Sequence, residues 1–246
     1  MQYVEYGAHN SQTVILLHGG GLSWWNYREV AQLLADKYHV VLPILDGHAD
    51  SEHSFVSIEE NAARLIAYID KHHGGSICAL GGLSLGGQVA VEILTQRPDV
   101  CRFALLESTL VKPSKLTHVL IKPTFSMSYG LIKQKWFAKM QAAYLGIPKT
   151  LFDDYYRDTC KISKEDMIAF LQANSAYSIK PALQNTNAKV HIGFGGKEQA
   201  AIRLSAKMLN QTIPNSTAES IPGYRHGDLS INHPAQYAQM ILQLVS

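Results

Sequence analysis

The sequence predicts an α/β protein with a mostly parallel, doubly wound sheet. Three observations support this prediction: short apolar runs recur along the chain, helical periodicities lie between them, and glycine-rich turns follow several of the runs. Apolar runs without strict alternation are typical of strands that are covered on both faces, as in a parallel sheet. A chain of 246 residues with this pattern is long enough to bury one large core.

Six apolar runs are predicted to be the strands of this sheet. They are TVILLH (13–18), HVVLPIL (39–45), SICALG (76–81), CRFALLE (101–107), KVHIGF (189–194) and STAESI (216–221). Between them, apolar residues at helical spacing predict helices that cover the sheet. The clearest stripes are Tyr27, Val30, Ala31 and Leu34; Ile58, Ala62, Leu65, Ile66 and Ile69; and Tyr237, Met240, Ile241 and Leu244.

The alternation of strands and helices is interrupted between residues 111 and 187. This segment has several amphipathic pieces, prolines between them and no convincing strand. Ser163 and Asp166 have the spacing of a helix N-cap. We therefore expect a core formed by residues 1–110 and 188–246, into which residues 111–187 insert a helical cap, or lid.

Composition and charge exclude several classes of function. The 22 basic residues nearly balance the 20 acidic ones, and no basic run predicts a phosphate-binding surface, so nucleic acid is not an expected partner. No apolar run reaches the length of a membrane span, and the first residues do not resemble a secretory signal. The cysteines form no CxxC pair, and no histidine spacing suggests a metal site. We expect a soluble cytoplasmic protein with a small-molecule substrate and no metal or cofactor; the oligomeric state stays open.

A single serine, Ser84, lies at the junction between a predicted strand and a helix-favouring run. Gly82 and Gly86 flank it in the pattern GxSxG. In this pattern a sharp strand-to-helix turn exposes the serine hydroxyl near the N-terminus of the helix. Glycine is needed where two backbone segments approach closely. Ser84 is therefore the candidate nucleophile.

The candidate base and acid lie in later loops. A serine hydroxyl needs a base to accept its proton, and the base needs an acid that orients it. Glu198 follows the predicted strand at 189–194, and His226 lies in a glycine-flanked loop after the last strand. Both positions fall at the carboxyl ends of the strands, where open parallel sheets form their sites. We therefore predict His226 as the base and Glu198 as the acid.

A glycine run, HGGG at 18–21, predicts the loop that binds the oxyanion. It follows the first strong strand directly, and glycine lets a backbone N–H approach the negative oxygen that forms when serine attacks a carbonyl. We assign the two donors to the backbone of Gly20 and Leu85, with Gly21 as the adjacent alternative. His18 and His48 are interpreted as turn residues whose rings hold neighbouring loops.

These motifs resemble those of the α/β-hydrolase superfamily, in its capped, single-domain branch of serine esterases and lipases. The resemblance covers nearly the whole chain, on HGGG (18–21), PILDGHADS (43–51), GLSLGG (82–87), the loop of Glu198, and GYRHG (223–227). It implies a serine acyl-enzyme mechanism without a cofactor and a cap over the pocket. Some relatives place the acid where Glu107 lies, so Glu107 is the alternative acid. The short N-terminal edge implies that an edge strand of the family is missing here.

The expected substrate is a carboxylic ester or a similar carbonyl compound with an apolar group. Six aromatic or methionine side chains are candidates for the pocket: Trp24, Trp25, Met127, Trp136, Met140 and Tyr144. For Trp24 and Trp25, packing on the sheet is an equally good interpretation. Two other functions stay open. One is a C–C bond hydrolase or a lyase that releases a small acid, and the other is a ligand receptor with a slow triad.

Overall fold

A seven-stranded sheet lies at the centre of the computed structural model, which describes residues 2–245. Along the chain the strands are β1 (Tyr3–Tyr6), β2 (Thr13–Leu17), β3 (His39–Pro43), β4 (Ile77–Leu83), β5 (Cys101–Glu107), β6 (Lys189–Gly195) and β7 (Ser216–Ile221). Their order in the sheet is β1-β3-β2-β4-β5-β6-β7. Only the pairing of β1 with β3 is antiparallel among these strands. The predicted mostly parallel sheet is confirmed.

An edge strand, β1, lies beside β3 and was not among the six strands predicted from the sequence. It runs along β3, with Tyr3 opposite Pro43 and Tyr6 opposite Val40. Its four residues alternate between exposed and partly buried positions, a pattern too short to be recognised in the sequence. An antiparallel strand at the edge of a parallel sheet is a common arrangement.

Helices cover both faces of the sheet. Along the chain they are α1 (Arg28–Leu34), α2 (Ile58–His73), α3 (Leu85–Gln96), α4 (Lys115–Ile132), α5 (Lys135–Tyr144), α6 (Phe152–Lys161), α7 (Lys164–Ala176), α8 (Ala200–Thr212), α9 (Asp228–Asn232) and α10 (Pro234–Val245). Successive residues of β2 belong to different apolar clusters: Ile15 packs with α2 and α3, and Val14 packs with α1 and α10. A strand that is buried on both faces is the mark of a doubly wound sheet.

Residues 111–187, here called the helical segment, lie between β5 and β6 in the chain. Every α-helix from α4 to α7 lies in this segment, and the structure describes no strand among these residues. The predicted N-cap is confirmed, because the Ser163 hydroxyl accepts a hydrogen bond of 3.0 Å from the backbone N–H of Asp166. Trp25 ties the core to this segment, since its indole N–H donates to Asp158 at 2.9 Å.

Candidate active site

The chain turns sharply at Ser84, between β4 and α3. Its backbone angles are φ 52° and ψ −110°, a conformation that residues other than glycine rarely adopt. The backbone N–H of Ser84 donates to the carbonyl of Glu107 on β5, and the carbonyl of Ser84 accepts from the N–H of Gln88, each at 2.9 Å. Because the adjacent strand and α3 both bond to it, the turn is held from two sides.

The two glycines of GxSxG are required by close backbone contacts. A Cβ atom on Gly86 would lie 2.1 Å from the carbonyl oxygen of Leu17, and a Cβ on Gly82 would lie 2.4 Å from that of Gly86. No side chain can relieve such a clash, since both partners are backbone atoms. The pattern around Ser84 therefore reflects the geometry of a strand that passes directly into a helix.

His226 and Glu198 form a hydrogen-bonded pair. The Nδ1 atom of His226 lies 3.1 Å from Oε2 and 3.2 Å from Oε1 of Glu198. The carboxylate side chain is only 3% exposed, whereas the imidazole side chain is 44% exposed. A carboxylate only accepts hydrogen bonds, so Nδ1 carries the proton and Nε2 keeps its lone pair. This is the tautomer that a general base needs.

The loops that carry this pair approach each other closely. Lys197 donates its backbone N–H to the carbonyl of Tyr224 at 2.9 Å, and a Cβ on Gly195 would lie 2.3 Å from the same carbonyl oxygen. Glycine at the end of β6 therefore allows the acid loop to meet the histidine loop.

The surroundings of His226 raise the pKa of its imidazole above the ordinary value of 6.5. Burial lowers this pKa, but the hydrogen bond and charge of Glu198 and the charge of Glu107 outweigh it. The charged imidazolium is thus stabilised, as a base requires after it has accepted a proton from serine.

Glu107, the alternative acid, bonds to the backbone of α9. Its Oε1 accepts hydrogen bonds from the N–H groups of Leu229 at 3.1 Å and Ser230 at 3.2 Å. Burial raises the pKa of this carboxyl group to about 7, and the hydrogen bonds lower it in part. Among the described hydrogen bonds, the imidazole is therefore paired with Glu198, while Glu107 fixes the turn that follows His226.

The predicted catalytic residues line one cavity of about 600 Å³. Ser84, Glu198 and His226 belong to its lining, together with Gly20 and Leu85. The sequence therefore identified residues from four distant stretches that the fold brings together. Apolar residues around them are Leu22, Leu83, Tyr144, Leu145, Ile147, Phe170, Leu171, Ile202 and Ile231, and the polar ones include Asn174, Lys197, Gln199 and Arg225.

The arrangement of backbone donors favours Gly20 over its neighbours. The N–H of Leu85 is the first of α3 and has no acceptor within the helix. A Cβ on Gly20 would lie 3.5 Å from the Leu85 side chain, so the two residues are adjacent. The N–H of Gly19 already donates to Asn26 at 3.3 Å, and the alternative donor Gly21 is not part of the cavity lining.

His18 and His48 hold loops beside the cavity, as the sequence predicts. The Nδ1–H of His18 donates to the carbonyl of Gly19 at 2.9 Å, and its Nε2 accepts from the N–H of Leu45 at 3.1 Å. His48 bonds to the carbonyl of Asp46 and stacks on Phe170 at 4.4 Å. Burial lowers the pKa of His18 to about 3 and that of His48 to about 4. Both rings are therefore neutral structural groups.

Of the six side chains predicted to form the pocket, one belongs to the lining of this cavity. Tyr144 lines the cavity, but Trp24, Trp25, Met127, Trp136 and Met140 do not. Trp25 is buried and bonded to Asp158, and Trp24 packs under the guanidinium of Arg28 at 4.7 Å. Met127 is exposed on α4. Trp136 and Met140 are exposed on α5, because the buried face of that helix is formed by small alanines.

Apart from Tyr144, sequence reasoning missed the residues of the helical segment that line the cavity. Ile147 follows α5, and Phe170 and Leu171 lie on α7. Phe170 and Leu171 form an apolar stripe with Met167 on the helix that follows the N-cap at Ser163. The stripe can be recognised in the sequence, but the sequence does not indicate whether it faces the cavity or the core. Lys197 and Arg225 flank the predicted acid and base directly, and this adjacency was the available signal.

The chain also matches a model of the alpha/beta hydrolase family over residues 14–240. It belongs to that family. The match spans the predicted nucleophile, acid and base.

Two curated proteins are similar in sequence. The AB hydrolase superfamily protein of Gibberella zeae is 32% identical over 57% of this chain and 50% of its own length. The uncharacterized hydrolase YugF of Bacillus subtilis is 24% identical over 89% of this chain and 85% of its own length. The chain thus spans about half the length of the first relative and most of the second.

Solved structures share the fold of this hydrolase-family chain. The enol-lactonase from Burkholderia xenovorans LB400 superposes with a TM-score of 0.83 at 16% identity, over 99% of this chain and 95% of the other. A thermophilic esterase from Thermogutta terrifontis superposes with a TM-score of 0.77 at 19% identity, over 98% and 91% of the two chains. At these identities the likeness concerns the fold alone.

Proposed function

We propose that this chain is a serine hydrolase that cleaves carboxylic esters, or similar carbonyl compounds, through an acyl-enzyme. One observation carries the proposal. The strained turn presents Ser84 in the same cavity as a histidine whose Nδ1 is bonded to a buried carboxylate. Family membership supports hydrolase activity, and the nucleophile, base and acid are the roles that such activity requires.

In the proposed first step, the Ser84 oxygen attacks the carbonyl carbon while Nε2 of His226 takes the hydroxyl proton. The backbone N–H groups of Gly20 and Leu85 donate to the resulting oxyanion. The tetrahedral intermediate then expels the alcohol, which receives the proton from His226. In the second step, His226 takes a proton from water, the hydroxide attacks the acyl carbon, and the carboxylic acid leaves as the Ser84 hydroxyl is restored.

The helical segment is proposed as the cap that determines the acyl group. Ile147, Phe170 and Leu171 of this segment belong to the apolar lining of the cavity. Burial of one methylene group of an acyl chain contributes about 0.8 kcal/mol. We therefore expect kcat/KM to rise with acyl length until about 600 Å³ of cavity is filled.

A labelling experiment tests the proposed nucleophile. Incubation with a fluorophosphonate followed by peptide mapping should place the adduct on Ser84, and Ser84→Ala should lose both label and turnover of p-nitrophenyl esters. Ser108→Ala is a matched control, since Ser108 also has a positive φ of 50° but is buried outside the cavity lining. A label that persists in Ser84→Ala would contradict the proposal.

Two cations at the cavity favour a second candidate function. Lys197 and Arg225 line it beside Glu198 and His226, and cations bind carboxylate-bearing substrates. A C–C bond hydrolase or a lyase that releases a small acid would use such groups. A burst of alcohol and an acylated Ser84 indicate the esterase. If neither forms while an anionic substrate is turned over, the second function holds.

The cytoplasm is the proposed location. Cys78, Cys101 and Cys160 are free thiols in the structure, which fits a reducing compartment. In the part of the chain that is described, no helix is long and apolar enough to cross a membrane.

A further inference from the structure

Exposed apolar side chains are concentrated on α4 and α5. Of the thirteen large apolar residues that are exposed within residues 2–245, nine lie between residues 116 and 145. Large exposed apolar patches on a monomer mark surfaces that bind something. The nine are Leu116, Val119, Leu120, Met127, Leu131, Trp136, Met140, Tyr144 and Leu145, here called the α4–α5 face.

The exposed residues follow the helical repeat. Trp136, Met140 and Tyr144 are each four residues apart on α5, while Ala138 and Ala142 provide its buried side. On α4, whose buried residues are Ile121 and Ile132, the exposed apolar positions repeat at similar spacing. Each helix therefore has a second apolar stripe that faces away from the protein.

The charged residues of the stretch that contains α4 and α5 are all positive. Residues 108–152 contain seven lysines and no acidic residue, and all seven lysines are exposed. The ion pairs that the structure describes use none of these lysines. All 20 acidic residues and the other 15 of the 22 basic residues lie elsewhere. Residues 108–152 thus carry a charge of +7, and the rest of the chain carries −5.

We propose that the α4–α5 face binds an anionic lipid surface. Helices that lie in a membrane interface combine an apolar face with surrounding lysines, and each lysine close to anionic lipid adds to the affinity. A second copy of the chain is a poorer occupant, because a symmetric dimer would place the same unpaired lysines against each other. An anionic lipid surface complements both the exposed apolar side chains and the exposed lysines of this region.

Binding of the α4–α5 face to lipid would also bring the cavity close to the membrane. Tyr144 and Leu145 belong both to the exposed face and to the cavity lining. An apolar substrate dissolved in a membrane would then reach Ser84 without passing through bulk water. Binding itself requires no catalysis, so Ser84→Ala protein should bind lipid as the unmodified chain does.

Vesicle flotation tests the proposal. Vesicles of phosphatidylcholine with about 30% phosphatidylserine should retain the protein at low salt, whereas pure phosphatidylcholine vesicles should retain at least tenfold less. Because screening shortens the range of the attraction, about 0.5 M NaCl should release it. Equal retention by neutral and anionic vesicles, or none by either, would overturn the proposal.

A pair of triple variants separates the face from net charge. Lys122→Glu, Lys133→Glu and Lys139→Glu should together weaken binding on the order of hundredfold. Lys37→Glu, Lys71→Glu and Lys207→Glu make the same change in net charge at exposed positions outside the face and should weaken it less than tenfold. Equal losses in both triple variants would refute a specific face.

Trp136 reports insertion directly. It is 62% exposed, whereas Trp25 is buried and Trp24 is partly buried. Anionic vesicles should shift the tryptophan emission to shorter wavelength, and Trp136→Phe should abolish the shift while the protein stays folded by circular dichroism. A concentration-dependent dimer that Trp136→Lys dissociates, with no emission shift on vesicles, would identify a second copy as the occupant and overturn the proposal.

Discussion

The carboxyl edge of the sheet and the helices of the α4–α5 face differ in how tightly the backbone is packed. At the sheet edge, Gly86 and Gly82 touch other backbone atoms, and no Cβ could be added without collision. On α4, a Cβ at Gly130 would have no neighbour within 4 Å. Backbone packing therefore specifies the residues around Ser84, whereas packing within the protein leaves Gly130 on α4 free of such a restriction.

The same contrast applies to aromatic side chains. Trp25 is 1% exposed and bonded to Asp158, whereas Trp136 is 62% exposed. Both were candidates for the pocket, and neither lines it. An aromatic residue near a site motif is thus a weak predictor of substrate contact, since core and outer surface also use such residues.

Loss of the acid gives the largest expected effect at the sheet edge. Glu198→Gln should lower kcat about 10⁴-fold, since the amide no longer fixes the imidazole tautomer or stabilises its charge. Glu198 raises the pKa of His226, and activity requires the neutral ring. The acidic limb of the rate profile should therefore lie above pH 6.5 and move to lower pH in the variant.

Glu107→Gln is the matched control for that experiment, because it also replaces a buried carboxylate beside the same loop. Its amide oxygen can still accept from Leu229 and Ser230, so kcat should fall less than tenfold. A larger loss in Glu107→Gln than in Glu198→Gln would show that the alternative acid is used.

Two glycine substitutions should have effects of opposite sign. Gly86→Ala should destabilise the fold by about 3–4 kcal/mol, because its Cβ would lie 2.1 Å from the carbonyl oxygen of Leu17. Gly130→Ala lies within α4 and should stabilise it by up to about 1 kcal/mol. Urea unfolding measures both. Equal effects at the two sites would contradict the contrast between the two regions.

The buried Glu107 carboxyl group should make stability depend on pH. Its pKa is about 7 in the folded chain against an ordinary value of 4.5, so the folded state binds the proton more tightly than the unfolded state. The contribution of this group to the free energy of unfolding is therefore fully present below about pH 4.5. It falls by about 3 kcal/mol as the pH rises to 7. Glu107→Gln should remove this loss.

The measurement is urea unfolding of both proteins at pH 5 and pH 8. Other titrating groups cancel in the difference between the chains. The variant should be more stable than the unmodified chain at pH 8, and the difference should become small at pH 5. A difference that does not change with pH would mean that Glu107 is ionised throughout.

Two tryptophan substitutions should differ in their effect on stability. Trp25→Phe removes a buried hydrogen bond to Asp158 and should cost about 2 kcal/mol. Trp136→Phe changes an exposed side chain and should stay within about 0.5 kcal/mol. Thermal unfolding distinguishes them. A substantial loss from Trp136→Phe would mean that this side chain contributes to the core.

The sequence alone predicted six of the seven strands, the serine turn and the loops that carry Glu198 and His226. Apolar strands, and glycines at backbone contacts, leave local patterns because each restricts the residue at its own position. The same local logic also predicted the N-cap at Ser163, which the structure confirms. It missed β1, whose four residues form a strand only because β3 offers an edge.

Only the tertiary structure decided which carboxylate meets the imidazole and which side chains line the cavity. Glu198 and Glu107 both follow strands. The path of the loop around His226 brings the imidazole to Glu198 and the backbone of α9 to Glu107. The direction of the α5 stripe was likewise undetermined, because an amphipathic pattern identifies an apolar face without identifying what it contacts. Packing on the alanine side turned Trp136 and Met140 outward.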